Sequence, residues 1–124
     1  MEIYKEFKFE AAHILVGVPK EHQCARLHGH SYKVRVYLRS HHLQTDTGWV
    51  MDFADVKAVC KPLIDSLDHR YLNDIPGLER STAEMIAVWL WNRIKPGLPL
   101  LTAIEVKETD SSGAIYRGED LQWL

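Results

Sequence analysis

Two cysteines in 124 residues, at positions 24 and 60, are too few for a disulfide framework of the kind that staples small secreted modules. Positive charge is not in surplus either. Fifteen Lys and Arg against seventeen Asp and Glu leave a net charge of -2, without the clustered basic face that phosphate neutralisation demands, so an electrostatic nucleic-acid binder is excluded. The longest nearly unbroken apolar run, Met85 to Trp91, is far too short to cross a bilayer, and no membrane role is expected. There is no glycine-rich dinucleotide fingerprint, no internal repeat and no low-complexity tract. The opening Met1-Glu2-Ile3-Tyr4-Lys5-Glu6 does not read as a signal peptide, and a reducing cytoplasm is the expected compartment. With 46% hydrophobic and 26% charged residues, 1–124 is expected to be one globular domain.

What the chain does have is histidine in a telling place. Cys24-Ala-Arg-Leu-His28-Gly-His30 opens a run to Arg39 that alternates apolar and polar like a β-strand. In an extended chain His28 and His30 point to the same face, while Gly29 lets a neighbouring backbone pass close by. Upstream, Phe7, Phe9, Ala11 and His13 share one strand face, so His13 ends an apolar row. Three neutral imidazoles with no fourth protein ligand are the pattern of a catalytic zinc site, which keeps one coordination position open, although spacing alone does not separate zinc from other metals that favour imidazole. Cys24 is then either a fourth ligand or a base. His41 and His42 read as a solvated turn, and His22 as part of a loop near Cys24.

Periodicity predicts an α+β domain in the order ββααββ. The first strand covers Tyr4 to His13, and the second runs from His28 to Arg39 with Tyr32, Val34, Val36 and Leu38 on one face. Asp52 caps a helix with apolar positions Phe53, Val56, Val59, Cys60, Leu63 and Leu67, bent at Pro62. Ser81-Thr82-Ala83-Glu84 reads as a capping box opening a second helix that stops at Pro96-Gly97. Thr102 to Thr109 and Ala114 to Arg117 complete a four-stranded antiparallel sheet, with both helices on one face. Its long open edges predict oligomerisation into a closed β-barrel.

Two more features bear on chemistry. Ile104, Val106 and Glu108 share a face, so Glu108 ends an apolar row as His13 does, and a carboxylate there needs a partner. Asp68-His69 follows the first helix; such a pair either relays protons or merely caps the helix.

Phe9-Glu10-Ala11-Ala12-His13, Cys24-x-x-x-His28-Gly-His30, Gly48-Trp-Val-Met-Asp52-Phe53, Leu67-Asp68-His69-x-x-Leu72-Asn73, Ser81-Thr82-Ala83-Glu84 and Val106-Lys-Glu108-Thr109 resemble, in order and nearly end to end, the 6-pyruvoyl-tetrahydropterin synthase family. The three residues between Cys24 and His28 are similar to the bacterial members that form 6-carboxytetrahydropterin for queuosine, where pyruvoyl-forming members usually carry a longer insertion. The resemblance implies a tunnelling fold (T-fold), with trimers closing a barrel, two trimers forming a homohexamer, and active sites between subunits. It implies Zn2+ held by His13, His28 and His30, Cys24 as the proton-abstracting base, Asp68 with His69 as a relay, Glu108 as the pterin anchor and Thr82 as a pterin contact. The implied reaction converts 7,8-dihydroneopterin triphosphate to 6-carboxy-5,6,7,8-tetrahydropterin, acetaldehyde and triphosphate. Two other readings stay open: a pyruvoyl-forming synthase, and a zinc- or pterin-binding module without turnover in which Cys24 is a fourth ligand. Ile14, Ala25 and Asp110-Ser111-Ser112 depart from the family pattern without altering an implied ligand.

Overall fold

The computed structural model describes residues 1–124. Strands β1 (Glu2–His13) and β2 (His28–Arg39) pair antiparallel along their whole length, from Glu2 opposite Arg39 to His13 opposite His28. Alternation decides which face is buried: Phe7, Phe9, Ala11 and His13 of β1 and Tyr32, Val34, Val36 and Leu38 of β2 all point into the core. The opposite face is charged. There Arg35 Nε lies 3.1 Å from Glu6 and 3.9 Å from Glu105, a cross-strand row on three neighbouring strands.

Helix α1 (Phe53–Leu67) is capped by Asp52, whose carboxylate accepts from Ala54 N–H at 2.9 Å. Its buried stripe is Val56, Cys60, Ile64 and Leu67, and the helix continues through Pro62, which lies on the exposed side. Phe53 is exposed, not a core residue; as the first residue of the helix it lies ahead of that stripe. Burial pushes the Cys60 thiol up to about 12, so it stays an inert thiol in the core.

After α1 comes an element that periodicity did not reveal, β3 (Arg70–Tyr71), which pairs parallel with β1. Helix α2 (Ala83–Ile94) follows, then β4 (Leu101–Thr109) and β5 (Ser112–Tyr116), an antiparallel hairpin turning at Asp110-Ser111. The sheet therefore has five strands in the order β3-β1-β2-β4-β5 and is mixed, which corrects the expected four-stranded antiparallel sheet. A two-residue strand carries no alternation to read, and it forms only because the end of α1 is tied to β1. Both helices pack on the inward face over Phe9, Tyr32 and the β4 residues Ile104 and Val106, as expected. No helix is long and apolar enough to cross a membrane.

The cap of α2 also differs from the expected one. Thr82, not Ser81, is the N-cap and accepts from Met85 N–H at 3.2 Å, which frees Ser81 to turn inward, where it is buried.

Candidate active site

The β1–β2 register builds the site. His13 stands directly opposite His28, and His30 opposite Ala11, so the three imidazoles converge at the end of the β1–β2 ladder. Their nitrogens lie within 4.8 Å of one another, and the ring centroids are 4.6 to 5.1 Å apart. Gly29 lies between the two β2 histidines because a Cβ there would stand 3.3 Å from the Ala11 carbonyl oxygen, tighter than ordinary contact.

Hydrogen bonds to carbonyl oxygens settle the tautomers. His13 Nδ1 lies 2.8 Å from the Ser81 carbonyl oxygen and His28 Nδ1 lies 2.7 Å from that of Arg26. A carbonyl only accepts, so each Nδ1 carries the proton and each Nε2 keeps a free lone pair, the arrangement found behind metal-ligating histidines. Burial, opposed by the Ser81 bond, lowers the pKa of His13 and keeps it neutral. The donor set thus fits a metal ion with imidazole preference, and His13, His28 and His30 are the residues able to hold it.

Cys24 is not among these donors. It sits half-buried in a 3-10 turn, Gln23–Ala25, capped by His22, whose Nδ1 accepts from Cys24 N–H at 3.0 Å. The Cys24 carbonyl accepts from Leu15 N–H at 2.8 Å, which holds the turn beside the chain just beyond His13. His22 is therefore a cap; His41 and His42 are exposed.

Glu108 follows Lys107, which pairs with Lys33, so it comes alongside Tyr32 on the inward face. It lines a cleft of about 290 Å³ with Ala83, Glu84, Ser112, Gly113 and Ala114. Its carboxylate accepts no hydrogen bond from the chain, and the Thr82 hydroxyl at the same helix end uses only its oxygen in capping, leaving its proton to donate. Tyr32 is buried between Glu108 and the imidazoles; burial first, then the charge of Glu108, pushes its hydroxyl above a phenol's ordinary range, so it remains a donor.

Asp68 and His69 form a pair of their own at the sheet edge. Asp68 accepts from Glu10 N–H at 2.9 Å and from His69 Nδ1 at 2.9 Å, and these bonds, the first foremost, hold its carboxyl below the usual range. His69 has φ of +57°, a left-handed conformation uncommon outside glycine, and its N–H bonds the Glu10 carbonyl. No hydrogen bond joins the pair to the imidazoles or to Cys24. What they share is a cleft of about 520 Å³ that both His69 and His30 line.

Two supporting residues escaped sequence reasoning. Ser81 orients His13, and the Asn73 side chain clamps Ile14, accepting from its N–H and donating to its carbonyl, both at 3.0 Å. Ser81 was concealed by its resemblance to a cap; Asn73 stands in the Leu67-Asp68-His69-x-x-Leu72-Asn73 motif, but its partner Ile14 lies 59 positions away, where no local signal points to it.

A family model described as 6-pyruvoyl tetrahydropterin synthase matches residues 2–119. The 6-carboxy-5,6,7,8-tetrahydropterin synthase of Synechocystis is 50% identical over 119 residues, covering 92% of this chain and 91% of its own. The dihydroneopterin monophosphate aldolase of Pyrococcus furiosus is 36% identical over 115 residues, covering 93% of this chain and 91% of its own. Among solved structures, 6-pyruvoyl tetrahydropterin synthase of Caenorhabditis elegans superposes with a TM-score of 0.87 at 27% identity, over 96% of each chain. The chain belongs to the 6-pyruvoyl tetrahydropterin synthase family, and its architecture is the T-fold.

Proposed function

We propose that this chain converts 7,8-dihydroneopterin triphosphate to 6-carboxy-5,6,7,8-tetrahydropterin, acetaldehyde and triphosphate, in 7-deazapurine (queuosine) biosynthesis. The observation that carries the reading is the cluster of three imidazoles, two of them with Nδ1 committed to a backbone carbonyl, set near an unpartnered carboxylate, in a chain 50% identical to the Synechocystis synthase. In this reading His13, His28 and His30 hold zinc, which when bound supplies Lewis acidity toward the oxygens of the pterin side chain.

The chain's own residues do the rest. Glu108 accepts two hydrogen bonds from the 2-amino-pyrimidinone edge of the pterin, and Thr82 donates its remaining proton to the same ligand. Cys24 takes the proton from the side-chain carbon as general base; its absence from the imidazole cluster supports a base over a fourth ligand. His69, oriented by Asp68 through its Nδ1, hands protons to and from the solvent-open cleft. The protein acts as one domain in the cytoplasm, as a homohexamer of two stacked trimers whose barrels cover the open sheet edges.

Mass analysis of the products formed by zinc-loaded protein from 7,8-dihydroneopterin triphosphate tests this. Acetaldehyde with a 6-carboxytetrahydropterin is the expected outcome. A pterin keeping its three side-chain carbons would make the chain a pyruvoyl-forming synthase. Carbon–carbon cleavage with no reduction of the ring would instead align it with the Pyrococcus aldolase.

A further inference from the structure

Cys24 stands in a turn that little else holds. Residues 16–27 leave the sheet after β1 and return at β2, most of them exposed, and two hydrogen bonds tie their turn to the rest of the chain. One runs from His28 Nδ1 to the Arg26 carbonyl, the other from Leu15 N–H to the Cys24 carbonyl at 2.8 Å. Leu15 lies beyond the last β1–β2 pair, His13 opposite His28, so no strand fixes it. Asn73 does. Its side-chain amide faces Ile14 as a neighbouring strand would, accepting from the Ile14 N–H and donating to the Ile14 carbonyl, and its second amide proton goes to the Glu79 carbonyl, all at 3.0 Å. One half-buried side chain thus continues the pairing of β1 past its end and ties it to the segment that leads into Ser81.

His13 is held without this help, by the β1–β2 ladder and by the Ser81 carbonyl, so the Asn73 amide serves what lies one step further along, the thiol turn. A general base displaced by about 1 Å loses on the order of 10²-fold in rate, and an exposed loop is the part of a fold that moves most. A thiol on such a loop needs a fixed support. We propose that Asn73 is a positioning residue for Cys24, fixing through Ile14 and Leu15 where the thiol stands relative to the imidazoles. This inference rests on the reading of Cys24 as the base given above.

Asn73→Ala removes the clamp, and Asn73→Asp keeps the acceptor for Ile14 N–H while losing both donated bonds. In the zinc-loaded variants, amide exchange across residues 14–25 should quicken by about tenfold or more, and kcat on 7,8-dihydroneopterin triphosphate should fall by about tenfold or more. Zinc content and affinity for 7,8-dihydroneopterin should stay those of wild type. Ile64→Val, a truncation of a buried residue in α1, controls for stability alone: its thermal midpoint should fall while kcat and exchange across 14–25 hold. Wild-type exchange or wild-type turnover in a folded Asn73 variant would overturn the assignment. Loss of zinc alongside turnover would make Asn73 a support for His13 and overturn it equally, as would an equal fall of kcat in Ile64→Val. Should Asn73→Ala not fold, Asn73→Asp is read by the same measures. A wild-type protein with no turnover of the triphosphate would remove the synthase reading itself, and exchange across 14–25 would still decide whether Asn73 holds the Cys24 turn.

Discussion

The Nδ1 of His13 lies 2.8 Å from the carbonyl oxygen of Ser81, a residue 68 positions later in the chain. That bond commits the imidazole proton to one nitrogen and turns the other toward His28 and His30. Because the acceptor is a backbone carbonyl, no side-chain substitution at position 81 abolishes it, and the histidines themselves are where the centre is vulnerable.

Replacing His28 by Ala removes one of three donors, and bound zinc with nearly all turnover should be lost. Ser81→Ala, in contrast, keeps the carbonyl and should keep the metal, with a stability loss of roughly 1 kcal/mol from the missing buried hydroxyl. Metal analysis of both purified variants checks the contrast. Full zinc in His28→Ala would sink the three-histidine centre.

Cys24 stands outside the imidazole cluster. Cys24→Ala should therefore retain zinc and bind substrate while turnover falls by at least roughly 10²-fold, the usual scale for removing a general base. Alkylation of the wild-type thiol should slow when substrate is present. If zinc departs with the thiol while the histidines are intact, the site is a closed four-ligand one and the enzyme reading fails.

Glu108 faces its cleft without a partner, and its two oxygens are the feature a pterin edge would need. Glu108→Gln keeps the size but offers a donor where an acceptor is required, so affinity for a pterin analogue should drop by roughly 2 kcal/mol. Titration by fluorescence or calorimetry measures it; an unaltered dissociation constant would move the anchor elsewhere.

The metal-free protein should lose stability in mild acid. Burial sets the folded-state pKa of His13 below its ordinary value of 6.5, so between the two the unfolded chain binds a proton that the folded chain refuses. Stability from this group is complete above about 6.5 and declines as pH falls below it. Urea midpoints of the metal-free protein at pH 7.5 and 5.5 provide the measurement, with a His13→Asn variant as control. A dependence of the same size in the control would assign the effect to other groups.

Much of this site was readable before any fold was known. Strand alternation puts His13 on the face of Phe9, His28 and His30 on the face of Tyr32, and Glu108 on that of Val106, because side-chain direction in a strand is a local property with a period of two. The expected hydrophobic face of β2 and the stripe of α1 from Val56 to Leu67 are buried for the same reason. Where local signals competed, the reading slipped. Ser81 and Thr82 are both good caps, and only the packing of Ser81 against His13 decides between them. Strand β3 and the inward turn of Asn73 left no periodic trace.

By itself, the sequence determined the α+β order of long elements, the three histidines' shared face, the carboxylate ending its own apolar row, and through its motifs the family. Tertiary structure alone decided that β1 and β2 pair so as to set His13 opposite His28, that Ser81 fixes the His13 tautomer, that Cys24 stays out of the imidazole cluster, and that Asp68 ties His69 to Glu10 across 58 residues. The division follows from range. Which way a side chain points depends on the few bonds around it, whereas which groups meet across the chain depends on register and on the closing of long loops, and those are chosen by the packing of the whole core.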